Sequence, residues 1–299
     1  MATAPSRTRL IVRLVLLGIL ASAALRYAQV RFAESRKPDW EFQQEVAVVL
    51  VVPRAATEDE RAPLATVRDF ALATSNRPTF WALKYWFDQE HGRYVDRPGF
   101  SPVRFDVVGP IEVDGPPPPP PRAGDDLSFL GRWWRTREFL GYFDDVRDRL
   151  SKKAPVTVFV YFYLPSEAAH FKPIHSVAER RSRRGFVFAP LTERGVDAAL
   201  VHVAHELLHV FGATDKYDDA RCVWPQGYYE PFREPRFPQS HAEVMAMGIP
   251  LQAGGRELSL DFFELMRVGV ETAHEIGWIE RERRDRYYAG DASAGGRPD

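Results

Sequence analysis

Cysteine is almost absent from this 299-residue chain: Cys222 stands alone. That excludes an intramolecular disulfide framework and any zinc site built from cysteines only. A net charge of one sign is also missing. Forty Lys and Arg face 41 Asp and Glu, a formal net of -1, so no global field points to nucleic acid. Lysine is scarce, six of the 40 basic residues, and Arg supplies the rest. No internal repeat is visible. What is present is core-forming material. Twenty Phe, 11 Tyr and seven Trp, with 45% hydrophobic residues, exclude wholesale disorder. With cysteine removed from the choice, the eight histidines are the place to look for metal chemistry.

The N-terminus carries its own pattern. Arg7, Arg9 and Arg13 precede an apolar run over residues 14–25. Twelve residues fit a signal-peptide core better than a full span, which needs about 20. Ala21-Ser22-Ala23 offers a cleavage option, while Arg26, Arg31, Arg36 and Lys37 just after the run favour an uncleaved anchor. Residues 1–39 are therefore expected to be a hydrophobic helix and tether, with the remainder outside the cytoplasm, on the periplasmic side of a bacterial inner membrane or secreted.

Along the rest of the chain, residues 46–52 (VAVVLVV) and 156–164 (VTVFVYFYL) read as buried strands. Residues 103–113 read as a strand bent at Gly109-Pro110. Helical spacing covers residues 64–73, 80–87, 127–150, 195–211 and 262–279. Gly115 and six following prolines form a stiff surface stretch of polyproline type. Residues 176–181 and 185–189 flank an Arg-rich turn and read as a hairpin at a sheet edge. Residues 220–258 are mostly loop. The expectation is one α+β domain over residues 40–290, with a mixed twisted sheet, and a disordered tail over 291–299.

The helix over 195–211 ends in His205-Glu206-Leu207-Leu208-His209. Residues four apart share a helix face, so both imidazoles can reach one ion. Glu206 lies about 100° round the helix and can approach a bound water without ligating the metal. Gly212 follows three residues after His209, and Asp215 three after Gly212. Glycine tolerates the left-handed conformation that ends helices, so the chain can reverse and return Asp215 to the same metal.

The string HELLHVFGATDKY resembles the metzincin clan of zinc metallopeptidases, closest to members with Asp as third ligand, as in the snapalysin type. The resemblance implies a zincin-like fold, one Zn2+ held by His205, His209 and Asp215, and Glu206 as general base. It also implies a methionine turn beneath the metal, with Met245 in the Glu243-Val244-Met245-Ala246-Met247-Gly248 stretch; Glu243 replaces the family's serine. Tyr217, Tyr228 or Tyr229 would supply a phenol in place of the turn's missing tyrosine. The implied activity is hydrolysis of a peptide or protein substrate, which would add as a strand to the sheet edge. A monomer without a nucleic-acid partner is expected.

Other assignments stay open from the sequence. A non-catalytic, envelope-anchored protein could keep the zinc for stability. Glu230, Glu234 or Glu243 could be the third ligand instead of Asp215. His202 reads as partly exposed, His241 as a possible substrate-side group, and Cys222 as an inert core thiol or a cap on the metal. The Arg-rich turn is either a solvated edge or a contact for acidic peptides.

Overall fold

The computed structural model describes residues 15–25, 27–28, 37–54, 78–121, 125–171, 176–218, 221–253, 255–257 and 263–296. The chain divides into two units, Met1–Lys37 and Pro38–Asp299. In the first, residues 15–25 are helical and their side chains exposed. Among the described residues no helix is long and apolar enough to cross a membrane. The helix expected over residues 64–73 lies outside the described residues.

The second unit is mixed α+β, built on a five-stranded, mostly parallel sheet. Its strands are β1 (Gln44–Pro53), β2 (Val103–Val113), β3 (Val156–Tyr163), β4 (Ser176–Glu179) and β5 (Arg184–Pro190), in the order β2-β1-β3-β5-β4. All neighbours run parallel except β4, which pairs antiparallel with β5 and forms one edge. The hairpin read from residues 176–189 is thus present at the sheet edge. β1 and β3 are apolar at nearly every position because helices cover both faces of a parallel sheet.

Alternation along the strands sorts the core into two layers. Val46, Val48 and Leu50 of β1 face one side, packed with α1 (Pro78–Tyr94) and α4 (Glu193–Phe211). Ala47, Val49 and Val51 face the other, packed with Phe139, Phe143 and Val146 of α2 (Phe129–Asp148). The aromatic run in α1 is divided: Trp86 and Phe87 are buried, Trp81 and Tyr85 exposed. A short α3 (Ala168–Phe171) precedes β4. Residues 116–121, the proline run, form neither helix nor strand.

Beyond α4 the chain makes small two-stranded pairings: β6 (Tyr217–Asp218) with β7 (Arg221–Cys222), β8 (Ala242–Glu243) with β11 (Met266–Arg267), and β9 (Ile249–Gln252) with β10 (Gly255–Glu257). The expected closing helix over 262–279 is shorter, α5 (Val270–Ile276). Met266 and Arg267 pair with β8 as β11, so the helix starts only after them. Glu90 Oε2 takes the Val268 N–H at 2.7 Å and Glu243 Oε1 takes the Gly269 N–H at 3.2 Å, so both donors are used outside a helix. α6 (Arg281–Tyr288) follows. Residues 291–296, the start of the expected tail, make a short 3-10 turn, and Arg283 holds the carbonyls of Ala294 and Gly295 at 2.9 and 2.8 Å. Residues 297–299 lie outside the described residues.

Candidate functional site

The side chains that matter sit on the C-terminal half of α4. The helix starts under control: the Thr192 hydroxyl accepts the Gly195 N–H at 3.1 Å as an N-cap. It ends at Gly212, whose φ of 123° is open only to glycine without strain. The Gly212 N–H bonds the carbonyls of Leu208 and His209, and the chain turns back. The loop after the turn carries Asp215.

This reversal brings three side chains to one point. His205 Nε2 and His209 Nε2 are 3.1 Å apart. Asp215 Oδ1 lies 3.4 Å from the first and 3.1 Å from the second. The other ring nitrogens are fixed by main-chain carbonyls: His205 Nδ1 to Val244 O at 3.1 Å, His209 Nδ1 to Ala213 O at 2.9 Å. A carbonyl can only accept, so Nδ1 is the nitrogen each ring commits to the main chain, and Nε2 is the one turned toward Asp215.

The three distances can be compared with a metal's demands. Tetrahedral zinc with bonds of 2.0–2.1 Å places its ligand atoms about 3.3 Å apart. The observed triangle of 3.1, 3.1 and 3.4 Å has that size. The donor set, two imidazoles and a carboxylate, suits zinc. The residues therefore fit the ion.

Glu206 stands beside the triangle, its Oε1 3.9 Å from His205 Nε2. With His205 and His209 it forms a group whose ligand atoms all lie within 4.8 Å of one another, close enough to share a water. Glu206 Oε2 is buried and has no hydrogen-bond partner among the described residues. Burial raises its carboxyl above the usual range, while the two histidines and the Ser176 hydroxyl pull it back in part. Burial lowers His209, but the Asp215 hydrogen bond and the Glu206 and Asp215 charges outweigh it, so the net shift is upward. Burial raises Asp215, yet the hydrogen bonds from His205 and His209 hold it well below the carboxylate range. His205 is almost fully buried, but Asp215 leaves 45% of its side chain exposed, so the cluster opens to solvent on that side.

No family model and no curated protein matches the chain.

The Glu243–Gly248 turn lies against the cluster. Its Val244 carbonyl holds His205, and its Met245 carbonyl takes the Lys216 N–H at 2.9 Å, next to Asp215. Met245 is fully buried. Glu243 is buried too, but its carboxylate is engaged by partners other than the two histidines. Its carboxylate accepts from Met245 N at 2.6 Å, Gly269 N at 3.2 Å and Thr272 Oγ1 at 2.6 Å. It braces the turn against the start of α5, and this removes it as a third ligand. Glu230 is engaged by Arg233 at 3.5 Å and by Ser240 at 3.1 Å. Glu234 is exposed. Of the carboxylates considered for the third position, Asp215 alone is brought to both histidines.

Other candidates fall as follows. His202 is buried rather than partly exposed, because the inner face of α4 extends back to it. Cys222 Sγ donates to the Gly248 carbonyl at 3.7 Å, half-buried and engaged away from the histidines. Tyr228 packs against Phe237, and Tyr229 hydrogen-bonds Arg93 and stacks edge-on to His241. Tyr217 packs against the core. Within the Arg-rich turn, Arg184 pairs with Asp144 at 2.7 Å, and the Arg180 guanidinium approaches Gly212.

Two residues that shape the site carry no motif signal. Gly185 of β5 lies under α4, where an added Cβ would stand 3.1 Å from the Glu206 Cβ. Glu275 reaches from α5 to the Asp215 loop. Glycine in a strand is a weak hint of close backbone approach. A charged residue sixty positions downstream gives no local hint at all.

Proposed function

We propose that this chain is a zinc-dependent peptidase of metzincin type that hydrolyses peptide bonds by an activated water. The observation that carries the reading is the zinc-sized triangle of His205, His209 and Asp215 with the buried Glu206 carboxylate at its side. When bound, zinc supplies a Lewis acid and a water of lowered pKa.

The chain's own residues do the rest. His205 and His209 present Nε2 atoms fixed in direction by Val244 and Ala213. Glu206 takes the proton of the attacking water at its carboxylate and passes it to the leaving amine. The antiparallel strand β4 is the sheet edge among the described residues, and an extended peptide adds there as another strand. The exposed flank at Asp215 leaves the access that a closed structural zinc site lacks. The Arg-flanked apolar run over residues 14–25 supports placing this unit outside the cytoplasm, tethered to or released from a membrane.

Metal analysis of the purified chain and its Asp215→Ala variant tests the ligand set. One zinc per wild-type chain and a marked loss in the variant is the expected result. Full zinc retention by a folded Asp215→Ala protein would remove Asp215 from the set.

A further inference from the structure

Asp215 sits in a loop, residues 213–216, that is neither helix nor strand. Nearly half of its side chain is exposed. Gly212 just before it has the torsional freedom to send the loop elsewhere. Two imidazoles alone do not explain why the carboxylate is already aimed at them. The loop is held instead by the residues on either side of Asp215, and one carboxylate grips both.

That carboxylate is Glu275, on α5. Its Oε2 accepts the Thr214 N–H at 2.9 Å, and its Oε1 accepts the Thr214 hydroxyl at 2.6 Å. The Lys216 ammonium, only 4% exposed, lies 2.6 Å from Oε2. Lys216 Nζ also bonds Thr214 O at 3.0 Å and Thr214 Oγ1 at 2.7 Å, which closes a ring across the loop. Lys216 then ties the ring to the methionine turn through its N–H and the Met245 carbonyl. The helix C-cap docks on the same place: a Cβ on Gly212 would lie 3.3 Å from the Glu275 carbonyl oxygen. The polar groups of Thr214 and Lys216 are held from α5, from the turn and within the ring, and the Lys216 carbonyl accepts the Val223 N–H at 2.8 Å. A charged carboxylate against a buried ammonium is directional and strong where water is excluded.

We infer that Glu275 is a positioning residue: it locks the residues flanking Asp215 so that the third ligand is in place before the metal arrives. The inference rests on the zinc reading above. It touches no ligand atom and acts through Thr214 and Lys216. Partners of this kind, one step behind the ligands, set metal affinity by 10–100-fold.

The test is a zinc titration of the full chain against a competing chelator, with cobalt as a spectroscopic probe and apo-protein melting as the stability control. Wild type, Glu275→Ala, Glu275→Gln and Thr214→Val are compared. Glu275→Ala is expected to weaken zinc by 10–100-fold and to change the cobalt visible bands, because the carboxylate ligand is no longer held. Glu275→Gln keeps an acceptor for Thr214 and is expected to fall between Ala and wild type. If Glu275→Ala does not fold, Glu275→Gln and Thr214→Val, which removes one hydroxyl, carry the comparison. Wild-type affinity and wild-type cobalt bands in folded variants would overturn the positioning role alone. A wild-type chain that takes up no zinc overturns the metal reading and this inference with it.

Discussion

Gly185 on β5 stands directly beneath Glu206 on α4, so close that a methyl group there would meet the Glu206 Cβ at 3.1 Å. The sheet and α4 can approach this far only because the strand has no side chain at that point. Val158 bounds the same space, its methyl carbons 3.4 Å from the added atom. Glycine in a strand normally weakens it. Here the close approach sets the depth at which Glu206 is buried, and burial is what raises its carboxyl pKa.

Gly185→Ala therefore overpacks the helix–sheet contact at the base. A loss of about 1–3 kcal/mol in stability is expected, in line with other small-to-large changes in packed cores. The hydrolytic rate should fall about tenfold or more, because small misplacements of a reacting group cost up to 10²-fold. Thermal melting and steady-state kinetics check both. Wild-type melting together with a wild-type rate would show that the approach is not needed.

Glu243 is a bracket for the methionine turn, with three hydrogen bonds to Met245, Gly269 and Thr272. Glu243→Ala leaves three buried donors without an acceptor and should cost roughly 2–4 kcal/mol. Glu243→Gln retains an acceptor and should cost less. Neither change should reduce zinc content in folded protein. Denaturant melts with metal analysis decide this, and zinc loss in a stable Glu243→Gln protein would return the residue to the ligand set.

His91 predicts a pH dependence of stability. Its ring lies among Trp40, Phe100 and Trp278, and its buried Nε2 has no hydrogen-bond partner among the described residues. Burial and then the Arg97 charge lower its pKa to about 4, against a weaker upward pull from Asp88. The unfolded chain binds this proton near pH 6.5, and the folded chain resists it down to about 4. The stabilising contribution is whole above pH 6.5 and is lost as pH falls from there toward 4. Melting temperatures measured across that window should drop more steeply for wild type than for His91→Phe. Parallel curves would show that His91 already carries its proton in the folded state.

Much of this architecture was legible in the chain because the signals were local. The apolar blocks over 46–52 and 156–164 could only be strands buried on both faces, and they are the central pair β1 and β3. The 3.6-residue spacing of α4 with Gly212 after it marked the helix end, while the start read at residue 195 lies at Glu193, behind the Thr192 cap. The histidine pair, Gly212 and Asp215 were readable because their roles follow from short spacings. What was not legible depends on distant partners. Residues 262–279 carry a helical pattern, but Met266 and Arg267 pair as a strand with the distant Ala242 and Glu243, and the helix starts after them. His202 reads as half-exposed until the inner face of α4 is seen to bury it. The Glu275 clamp links positions 59 and 61 residues apart, and no local pattern encodes it.

The central claim is that Glu206 moves the proton in a zinc-dependent hydrolysis. The direct measurement is cleavage of a broad peptide library by the full-length chain and its Glu206→Gln variant, each with zinc content verified. The account predicts cleavage by wild type and none by the variant, with zinc bound equally in both. A fully zinc-loaded wild type that cleaves nothing, or a Glu206→Gln variant that cleaves as well as wild type, would contradict it.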